Sequence, residues 1–174
     1  FIEGLKIIRP NVFPDERGYF FEAYNQKRYA ANGISETFIQ DNVSKSSKNV
    51  LRGLHFQNPP FAQGKLVSVI RGAVLDVAVD IRKGSSTYGK HFKIELTEEN
   101  KTQFYIPPGF AHGFLTLEDN TIFSYKCTQV YNKESEGSIL WNDQELNIDW
   151  NAEGPIVSEK DQIAAPFNQF KSQF

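Results

Sequence analysis

Short runs of alternating apolar and polar residues follow one another through the middle of the chain, between residues 50 and 131. Each run has the length of a β-strand, and turn-type sequences separate each run from the next. No long stripe of apolar residues at helical spacing interrupts the series. Strands that recur about every ten residues predict a β-sandwich or β-barrel. The predicted strands are GKLVSVI, AVLDVAVDI, HFKIEL, QFYIP, GFLTL and TIFSYKCTQVY.

Helical patterns are confined to short segments outside this series. The sequence QKRYAANG, residues 26–33, predicts a short helix that stops at Gly33. After about Trp150 the chain is punctuated by Pro and Gly, and SEKDQIAA is a candidate for the start of another short helix. The sequence contains no internal repeat, low-complexity segment or linker. We therefore expect residues 1–174 to form one domain, with a β-barrel core over about 38–150.

Composition and charge exclude several classes of function. The 174 residues are 40% hydrophobic and 14% aromatic, with fifteen Phe, which suits a packed core rich in β-structure. The net charge of −2 and the scattered Lys and Arg argue against a nucleic-acid-binding protein. No apolar run approaches the roughly 20 residues that span a bilayer. The first residues lack the pattern of a signal peptide and Cys127 has no disulfide partner, so we expect a soluble protein of the reducing cytoplasm.

The stretch FYIPPGFAHGF, residues 104–114, is the first that suggests chemistry. A predicted strand ends before Gly109, and His112 starts the next one. The spacing P-x-G-x-x-H is similar to the second motif of the cupins, small β-barrels that often bind metal. Three His and one Cys in the whole chain supply a transition-metal site poorly, so we expect a metal-free barrel. The spacing alone is equally compatible with a turn histidine that hydrogen-bonds the backbone.

His55 is the side chain best suited to accept a proton near neutral pH, provided that a carboxylate holds its tautomer. The candidates for that carboxylate are Asp76 and Asp80 in AVLDVAVDI and Asp161 in the tail. Asp161 has a structural alternative, because Ser158 and Asp161 have the spacing of a helix N-cap and an acidic N3 residue. The sequence leaves the choice of carboxylate open.

Two tyrosines and several basic residues have the spacing and charge to contact an elongated anionic ligand. Alternate residues of TIFSYKCTQVY project to one face, which would place Tyr125 and Tyr131 roughly 20 Å apart. Ordinary core or rim packing explains them equally well. The basic residues, which suit phosphate but are each also compatible with a solvated surface position, are Arg17, Arg52, Lys65 and Lys160. No P-loop, G-x-G-x-x-G, nucleophile elbow or C-x-x-C is present.

Ten stretches that together cover nearly the whole chain resemble the dTDP-4-dehydrorhamnose 3,5-epimerase family. They occur in the family's order and at its spacings. One such stretch would be weak evidence, whereas ten in register are highly specific. The stretches are FPDERGYFFE, FIQDNVSKS, VLRGLHFQ, AQGKLV, DVAVDIRKGSSTYG, ENK, IPPGFAHGF, YK followed by the tyrosine of QVY, EGSILWND and SEKD.

The resemblance implies a mainly β protein, a cupin-type jelly-roll β-barrel with a few short helices, which forms a homodimer and needs no metal or cofactor. It implies that dTDP-4-dehydro-6-deoxy-D-glucose is epimerised at C3 and C5 to dTDP-4-dehydro-L-rhamnose, for the synthesis of dTDP-L-rhamnose. The residues suit this chemistry. A 4-keto group acidifies the C–H bonds at C3 and C5, so a base, an acid and a stabiliser of the enolate oxygen suffice.

The resemblance also implies roles by position. His55 corresponds to the family's catalytic base, and Asp161 to the acid that pairs with it. Tyr125 corresponds to the tyrosine that returns a proton on the other face. Lys65 corresponds to a lysine beside the keto group, and Tyr131 to the residue that stacks on thymine. The other substrate-binding positions are Arg17, Glu22, Gln40, Asn42, Arg52, His112, Glu136 and Lys160.

In the stretch LRGLHFQ, the alternation of a regular strand conflicts with the implied positions of two site residues. In a regular strand, Arg52 and His55 are three residues apart and face opposite sides of the sheet, yet the resemblance places both in one site. Gly53 lies between them, and a glycine inside a strand often marks a bulge or a bend. We therefore expect the strand to be irregular at Gly53, or Arg52 to enter the site from the end of the strand.

Three alternatives remain open. An epimerase that inverts C3 alone or C5 alone, or that acts on another sugar nucleotide, would differ in pocket shape rather than in these motifs. A non-catalytic sugar-binding barrel would more naturally lack one of His55, Tyr125 and Asp161, all of which are present. A metal-dependent cupin dioxygenase or isomerase would need metal for activity.

Overall fold

The computed structural model describes residues 2–174, which are mostly β-structure as the sequence predicts. The strands are β1 (Lys6–Ile8), β2 (Val12–Asp15), β3 (Gly18–Phe21), β4 (Gln40–Ser46), β5 (Val50–Gln57), β6 (Lys65–Arg71), β7 (Ala73–Asp80), β8 (His91–Thr97), β9 (Gln103–Ile106), β10 (Phe110–Thr116), β11 (Thr121–Cys127), β12 (Glu136–Ser138) and β13 (Ile156–Val157). The helices are α1 (Gln26–Ala31) and α2 (Glu159–Gln162), and a 3-10 turn spans Phe167–Gln169.

Two sheets face each other across a shared apolar core. One sheet has the strand order β1-β9-β6-β11-β4, and the other has the order β12-β5-β10-β7-β8, with β13 beside β5. Side chains from both sheets form one buried cluster, in which Phe114 of β10 stacks on Phe123 of β11 with ring centroids 4.1 Å apart. Strands β2 and β3 form a separate hairpin. The two sheets confirm the predicted strand series.

Two strand boundaries differ from the predictions. Strand β10 begins at Phe110, so His112 lies inside the strand rather than at its start. The turn is complete at Gly109, whose positive φ of 92° ends it. Strand β11 ends at Cys127, opposite Gln40, so Tyr131 lies beyond the strand instead of on its face. The predicted spacing of Tyr125 and Tyr131 along one strand is therefore wrong.

Both predicted helices are present, and local capping explains their ends. The side chain of Asn25 accepts a hydrogen bond from the backbone of Arg28 at the start of α1. Gly33 follows the end of α1 with a φ of 79°, as expected for a stop signal. Ser158 caps α2 by accepting from the backbone N–H of Asp161. Within residues 2–174, no helix is both long and apolar enough to cross a membrane.

A buried carboxylate fixes the loop that follows β7. Asp80 accepts hydrogen bonds from the guanidinium and backbone of Arg82 and from the hydroxyls of Ser85 and Thr87, at 2.6–2.9 Å. Burial raises the pKa of Asp80, but these hydrogen bonds outweigh burial and lower the pKa to about 2. The ionised carboxylate therefore stabilises the folded chain.

Replacing Asp80 with asparagine is expected to lower the free energy of unfolding by about 3–5 kcal/mol at neutral pH, because the Arg82 guanidinium loses a buried partner. The folded pKa of about 2 lies below the ordinary value of 3.8, so the contribution of Asp80 is complete above that value. It is lost as the pH falls through the folded pKa. Urea denaturation at neutral and acidic pH measures both effects. Asp149→Asn, at an exposed carboxylate, is the control, and an equal loss at the two pH values would contradict the account.

Candidate active site

Two cavities of about 350 and 540 Å³ share His55, Lys65 and Tyr125 in their walls. The smaller cavity reaches the segment that follows β11, and the larger one reaches the segment that carries α2. All the predicted site residues except Arg17 and Glu22 line one or both cavities. Those that do are Gln40, Asn42, Arg52, His55, Lys65, His112, Tyr125, Tyr131, Glu136, Lys160 and Asp161.

A bulge in β5 brings Arg52 and His55 to the same side of the sheet. These two residues are three apart on β5, but they pair with residues only two apart on β10. The extra residue shifts the alternation by one position, so both side chains line the larger cavity. Gly53 permits the bulge, because its φ is 140° and a Cβ there would lie 2.6 Å from the Cα of Gly113. The predicted irregularity at Gly53 is confirmed.

His55 and Asp161 form a hydrogen-bonded pair in the wall of the larger cavity. The Nε2 atom of His55 lies 2.6 Å from Oδ1 of Asp161, and Asp161 is 2% exposed. The other carboxylate oxygen accepts from the backbone N–H of Gly53 at 3.3 Å. Asp161 is also the N3 residue of α2, capped by Ser158, so the helix-start interpretation and the pairing with His55 hold together.

The environment of Asp161 keeps its carboxylate ionised. Burial raises its pKa, but the hydrogen bond and the charge of His55 outweigh burial and lower the pKa, with further help from Gly53 and Ser158. An ionised carboxylate only accepts hydrogen bonds, so Nε2 of His55 carries the proton. In the neutral imidazole the lone pair is then on Nδ1. This is the arrangement of a histidine base held in one tautomer by a carboxylate.

A second histidine, on β10, pairs with a second carboxylate, on β7. Nε2 of His112 lies 2.9 and 3.1 Å from the two oxygens of Asp76, and both residues are buried. Burial lowers the pKa of His112 despite the opposing effect of Asp76, which favours the neutral ring. The alternative of a turn histidine bonded to the backbone is therefore wrong. Asp76 hydrogen-bonds to His112, and Asp80 accepts a hydrogen bond from Arg82. Neither carboxylate therefore orients His55.

Lys65 and Tyr125 project from neighbouring strands of the five-stranded sheet. Tyr125 pairs with Val67, and Lys65 lies two residues from Val67, so all three share one face. Burial lowers the pKa of the Lys65 ammonium, although neighbouring groups such as Asp76 oppose this. Burial raises the pKa of the Tyr125 phenol, with Arg52 opposing it, so the phenol retains its proton at neutral pH. The site thus places an amine with a lowered pKa on the same face as a phenolic proton donor.

A network of hydrogen bonds follows the rim of the smaller cavity. Tyr131 is 56% exposed, and its hydroxyl donates to Glu136 at 3.2 Å. The other oxygen of Glu136 lies 2.6 Å from the ammonium of Lys160. Gln40 accepts from the backbone N–H of Tyr131 at 2.8 Å and donates to Asn42 at 3.1 Å. Burial raises the pKa of Glu136, but its bonds with Lys160 and Tyr131 lower it overall, which favours the ionised carboxylate.

Arg17 and Glu22 lie away from both cavities. Arg17 is in the turn of the β2–β3 hairpin, where its side chain is 85% exposed and pairs with Asp15 at 2.6 Å. Glu22 follows β3 and pairs with Arg28 at 3.4 Å. The structure of one chain does not bring these residues to the site, and their binding role stays a prediction.

Sequence reasoning missed several polar residues that support the site. Ser46 accepts hydrogen bonds from the guanidinium of Arg52 at 3.1 and 3.3 Å. Gln57 and Gln63 line the smaller cavity. One signal was available, because Gln57 lies two residues after His55 and therefore faces the same side of β5. Among residues 2–174, no three His, Cys, Asp or Glu side chains are grouped so as to hold a metal ion.

Known proteins resemble this chain over nearly its whole length. The family model of dTDP-4-dehydrorhamnose 3,5-epimerase matches residues 1–169. The dTDP-4-dehydrorhamnose 3,5-epimerase of Salmonella typhimurium is 53% identical over 170 residues, which are 97% of this chain and 93% of that protein. The crystal structure of the dTDP-4-dehydrorhamnose 3,5-epimerase of Elizabethkingia anophelis is 54% identical, with a TM-score of 0.91, and the match covers 96% of this chain and 93% of that one.

A further solved structure carries a ligand. The dTDP-6-deoxy-D-glucose-3,5-epimerase of Legionella pneumophila, in complex with dTDP-4-keto-L-rhamnose, is 50% identical, with a TM-score of 0.94. The match covers 98% of this chain and 91% of that one. These findings confirm the predicted cupin-type β fold and the family resemblance of the ten stretches. The chain belongs to the dTDP-4-dehydrorhamnose 3,5-epimerase family.

Proposed function

We propose that this chain is an isomerase that inverts C3 and C5 of dTDP-4-dehydro-6-deoxy-D-glucose and forms dTDP-4-dehydro-L-rhamnose for dTDP-L-rhamnose synthesis. The observation that carries the proposal is the pair of His55 and the buried Asp161, 2.6 Å apart in a cavity wall that also contains Tyr125. The relatives named above are 3,5-epimerases, and one of them was solved with dTDP-4-keto-L-rhamnose.

The first step of the proposed mechanism is proton abstraction. The lone pair on Nδ1 of His55 takes the proton from C3 or C5, and the charge of Asp161 stabilises the imidazolium that forms. The electron pair of the C–H bond moves toward the 4-keto group and produces an enolate. The Lys65 ammonium lies in the same cavity walls, where it stabilises the negative charge on the enolate oxygen.

The second step returns a proton on the opposite face. The phenol of Tyr125 retains its proton because burial raises its pKa, and its transfer to the enolate carbon inverts the centre. Solvent then reprotonates the phenolate and takes the abstracted proton from the His55 imidazolium, so both groups return to their starting states. Electrons leave and return at the same carbon, so the balance needs no oxidant or reductant, and the proposal includes no cofactor or metal.

The remaining site residues are assigned to the nucleotide and the sugar. The exposed ring of Tyr131 is the proposed stacking partner of thymine, and Arg52 and Lys160 supply positive charge for the diphosphate. The other proposed contacts come from Gln40, Asn42, His112 and Glu136. A cytoplasmic location is part of the proposal, and it agrees with the free thiol of Cys127.

Product analysis tests the proposed activity. The purified protein is incubated with dTDP-4-dehydro-6-deoxy-D-glucose, and NMR determines the configuration at C3 and C5 of the product. The L-rhamno configuration supports the proposal. Inversion at C3 alone or at C5 alone would replace it with a mono-epimerase, and recovery of unchanged substrate would overturn it.

Tyr125→Phe is expected to impair inversion more than proton abstraction. His55 still removes the proton, but it can return a solvent deuteron only to the same face. Hydrogen–deuterium exchange is therefore retained to a greater extent than inversion. Product formation should fall by about 10²-fold, whereas exchange in deuterated water should fall by less than about tenfold. Tyr88→Phe is the matched control, because Tyr88 lines neither cavity. Equal losses of exchange and inversion would argue against an acid role for Tyr125.

We also propose that the active form is a homodimer in which the β2–β3 hairpin of one copy brings Arg17 and Glu22 to the site of the other. The hairpin exposes a group of aromatic side chains that one chain leaves uncovered. These are Phe13, Tyr19 and Phe20. Arg17 at the tip pairs with the exposed Asp15, and an exposed ion pair is weak enough for Arg17 to exchange that partner for an anionic ligand. The dimer thus accounts for two predicted residues that lie far from the cavities of their own chain.

Mixing one impaired and one inactive variant tests this arrangement. Arg17→Ala is expected to lower kcat/KM by about tenfold through the loss of a charge-assisted hydrogen bond. A mixed dimer of Arg17→Ala and His55→Ala would contain one site with both residues intact. Subunit exchange should therefore raise the activity toward about a quarter of wild type, because half of the random dimers carry one intact site. Activity that stays at the mean of the two variants would contradict the exchange of hairpins.

A further inference from the structure

The backbone on either side of Tyr131 is held by the side-chain amide of Gln57. The nitrogen of this amide donates to the carbonyl of Val130 at 3.1 Å and to the carbonyl of Phe61 at 2.7 Å. Its oxygen accepts from the backbone N–H of Asn132 at 2.8 Å. Gln57 is 4% exposed and uses both ends of its amide in these bonds. It therefore brackets Tyr131 between two fixed backbone groups.

Two further glutamines hold the same segment. The side chain of Gln40 accepts from the backbone N–H of Tyr131 at 2.8 Å, and the side chain of Gln63 donates to the carbonyl of Gln129 at 2.7 Å. The ladder of β11 ends at Cys127, so the segment that follows has no strand partner for these groups. Three side-chain amides take the place of strand hydrogen bonds. We call Gln40, Gln57 and Gln63 the glutamine clamp.

The position of Gln57 links the two ends of the site. It lies two residues after His55 on β5, and both side chains line the smaller cavity. A β-strand is stiff over two residues, at about 3.3 Å per residue. The strand therefore fixes Gln57 relative to the base, and Gln57 fixes the backbone of Tyr131. The exposed ring of Tyr131 has no such restraint of its own beyond its hydroxyl bond to Glu136.

We infer that Gln57 is a positioning residue that sets the span between the reacting end of the site and the nucleobase end, by holding Tyr131. The inference rests on the proposed function, since it takes Tyr131 to be the residue that meets the base. Gln57 reaches no reacting atom in this arrangement. Its loss should weaken binding of the nucleotide and raise KM, while kcat stays nearly unchanged.

Direct binding of dTDP provides the test. Calorimetry compares the wild type with Gln57→Leu, Tyr131→Ala and the double variant. Gln57→Leu is expected to weaken dTDP binding by about tenfold, because three backbone groups lose their hydrogen-bond partner and the segment shifts. In the Tyr131→Ala background, the same change should have little further effect, since the clamp acts through that ring. Unchanged binding in Gln57→Leu, or additive losses in the double variant, would overturn the inference.

A second variant keeps the test decisive if Gln57→Leu unfolds. Gln57→Glu preserves the shape and the bond from Asn132, but it replaces two donations with repulsion between oxygens. It is expected to raise KM for the dTDP-sugar by about tenfold and to change kcat by less than about twofold. Equal loss of kcat, or an unchanged KM, would contradict a positioning role.

The design separates this inference from the proposed function. Gln169→Leu is the matched control, because Gln169 is exposed and lines neither cavity. It should leave both dTDP binding and KM unchanged. If the wild-type protein binds dTDP but does not epimerise the sugar, the proposed activity is contradicted, whereas the role of the glutamine clamp is still tested by dTDP binding. If the wild-type protein is active and its Gln57 variants bind dTDP normally, only the proposed role of the glutamine clamp is contradicted.

Discussion

Replacing His55 with alanine is expected to abolish the exchange of substrate hydrogen with solvent at both C3 and C5. His55 lies in the walls of both cavities and pairs with an ionised carboxylate at 2.6 Å, so it is the base that the mechanism requires. Loss of general-base catalysis should slow exchange by about 10³-fold or more. The measurement is the NMR of the 4-keto sugar during incubation with the variant in deuterated water.

His91→Ala is the matched control for this variant. His91 lies on β8, lines neither cavity and should leave exchange near the wild-type rate. Thermal unfolding of both variants separates lost chemistry from lost fold. Full exchange in the His55→Ala protein would contradict the assignment of His55 as the catalytic base.

Asp161→Asn is expected to have the second largest effect. The amide has the shape of the carboxylate but not its charge, so the imidazolium formed on proton abstraction loses its stabilising partner. The amide can also donate to Nε2 of His55, which would move the ring proton to Nδ1 and remove the lone pair that the reaction uses. Product formation should fall by about 10²- to 10⁴-fold, as measured by steady-state kinetics with the dTDP-sugar.

Glu159→Gln on the same helix provides the control for Asp161. It changes the helix charge by the same amount, but Glu159 is exposed and lines neither cavity. Its activity should match that of the wild type. If Asp161→Asn retained activity within about threefold of the wild type, the pair would be structural rather than catalytic.

The strands were predictable because their signals are local. Alternation of apolar and polar residues and the turns between them identify β5 to β11 without knowledge of the fold. The bulge at Gly53 was predictable once the family resemblance placed Arg52 and His55 in one site, since their spacing does not fit a regular strand. The helix-start signal of Ser158 and Asp161 was correct too, although it describes only one of the two functions of that segment.

The choice of partner for His55 was not predictable from the residues alone. Asp76, Asp80 and Asp161 were all candidates for the carboxylate that orients His55. The hydrogen-bond partner of each depends on contacts that the sequence pattern does not show. Asp161 reaches His55 across 106 positions of the chain, because the tail folds back beside β5. The family resemblance pointed to the same residue for reasons that local patterns do not contain.

The backbone around Tyr131 could not be predicted from local sequence for a different reason. Its sequence continues the alternation of β11, so a strand was predicted through Tyr131. The ladder ends at Cys127 because the partner strand β4 begins at Gln40, opposite Cys127, and strand pairing is a property of two segments. Side-chain amides from three other places then hold the backbone. A glutamine carries no distinctive local signal for such a role, so the glutamine clamp was not predicted.

The most direct test of the account is incubation of the wild-type protein with dTDP-4-dehydro-6-deoxy-D-glucose in deuterated water, with a metal chelator present. The account predicts an L-rhamno product that carries deuterium at both C3 and C5, because each inversion passes through an enolate and takes its new proton from groups in exchange with solvent. A product without deuterium at these carbons, or activity that the chelator abolishes, would contradict it.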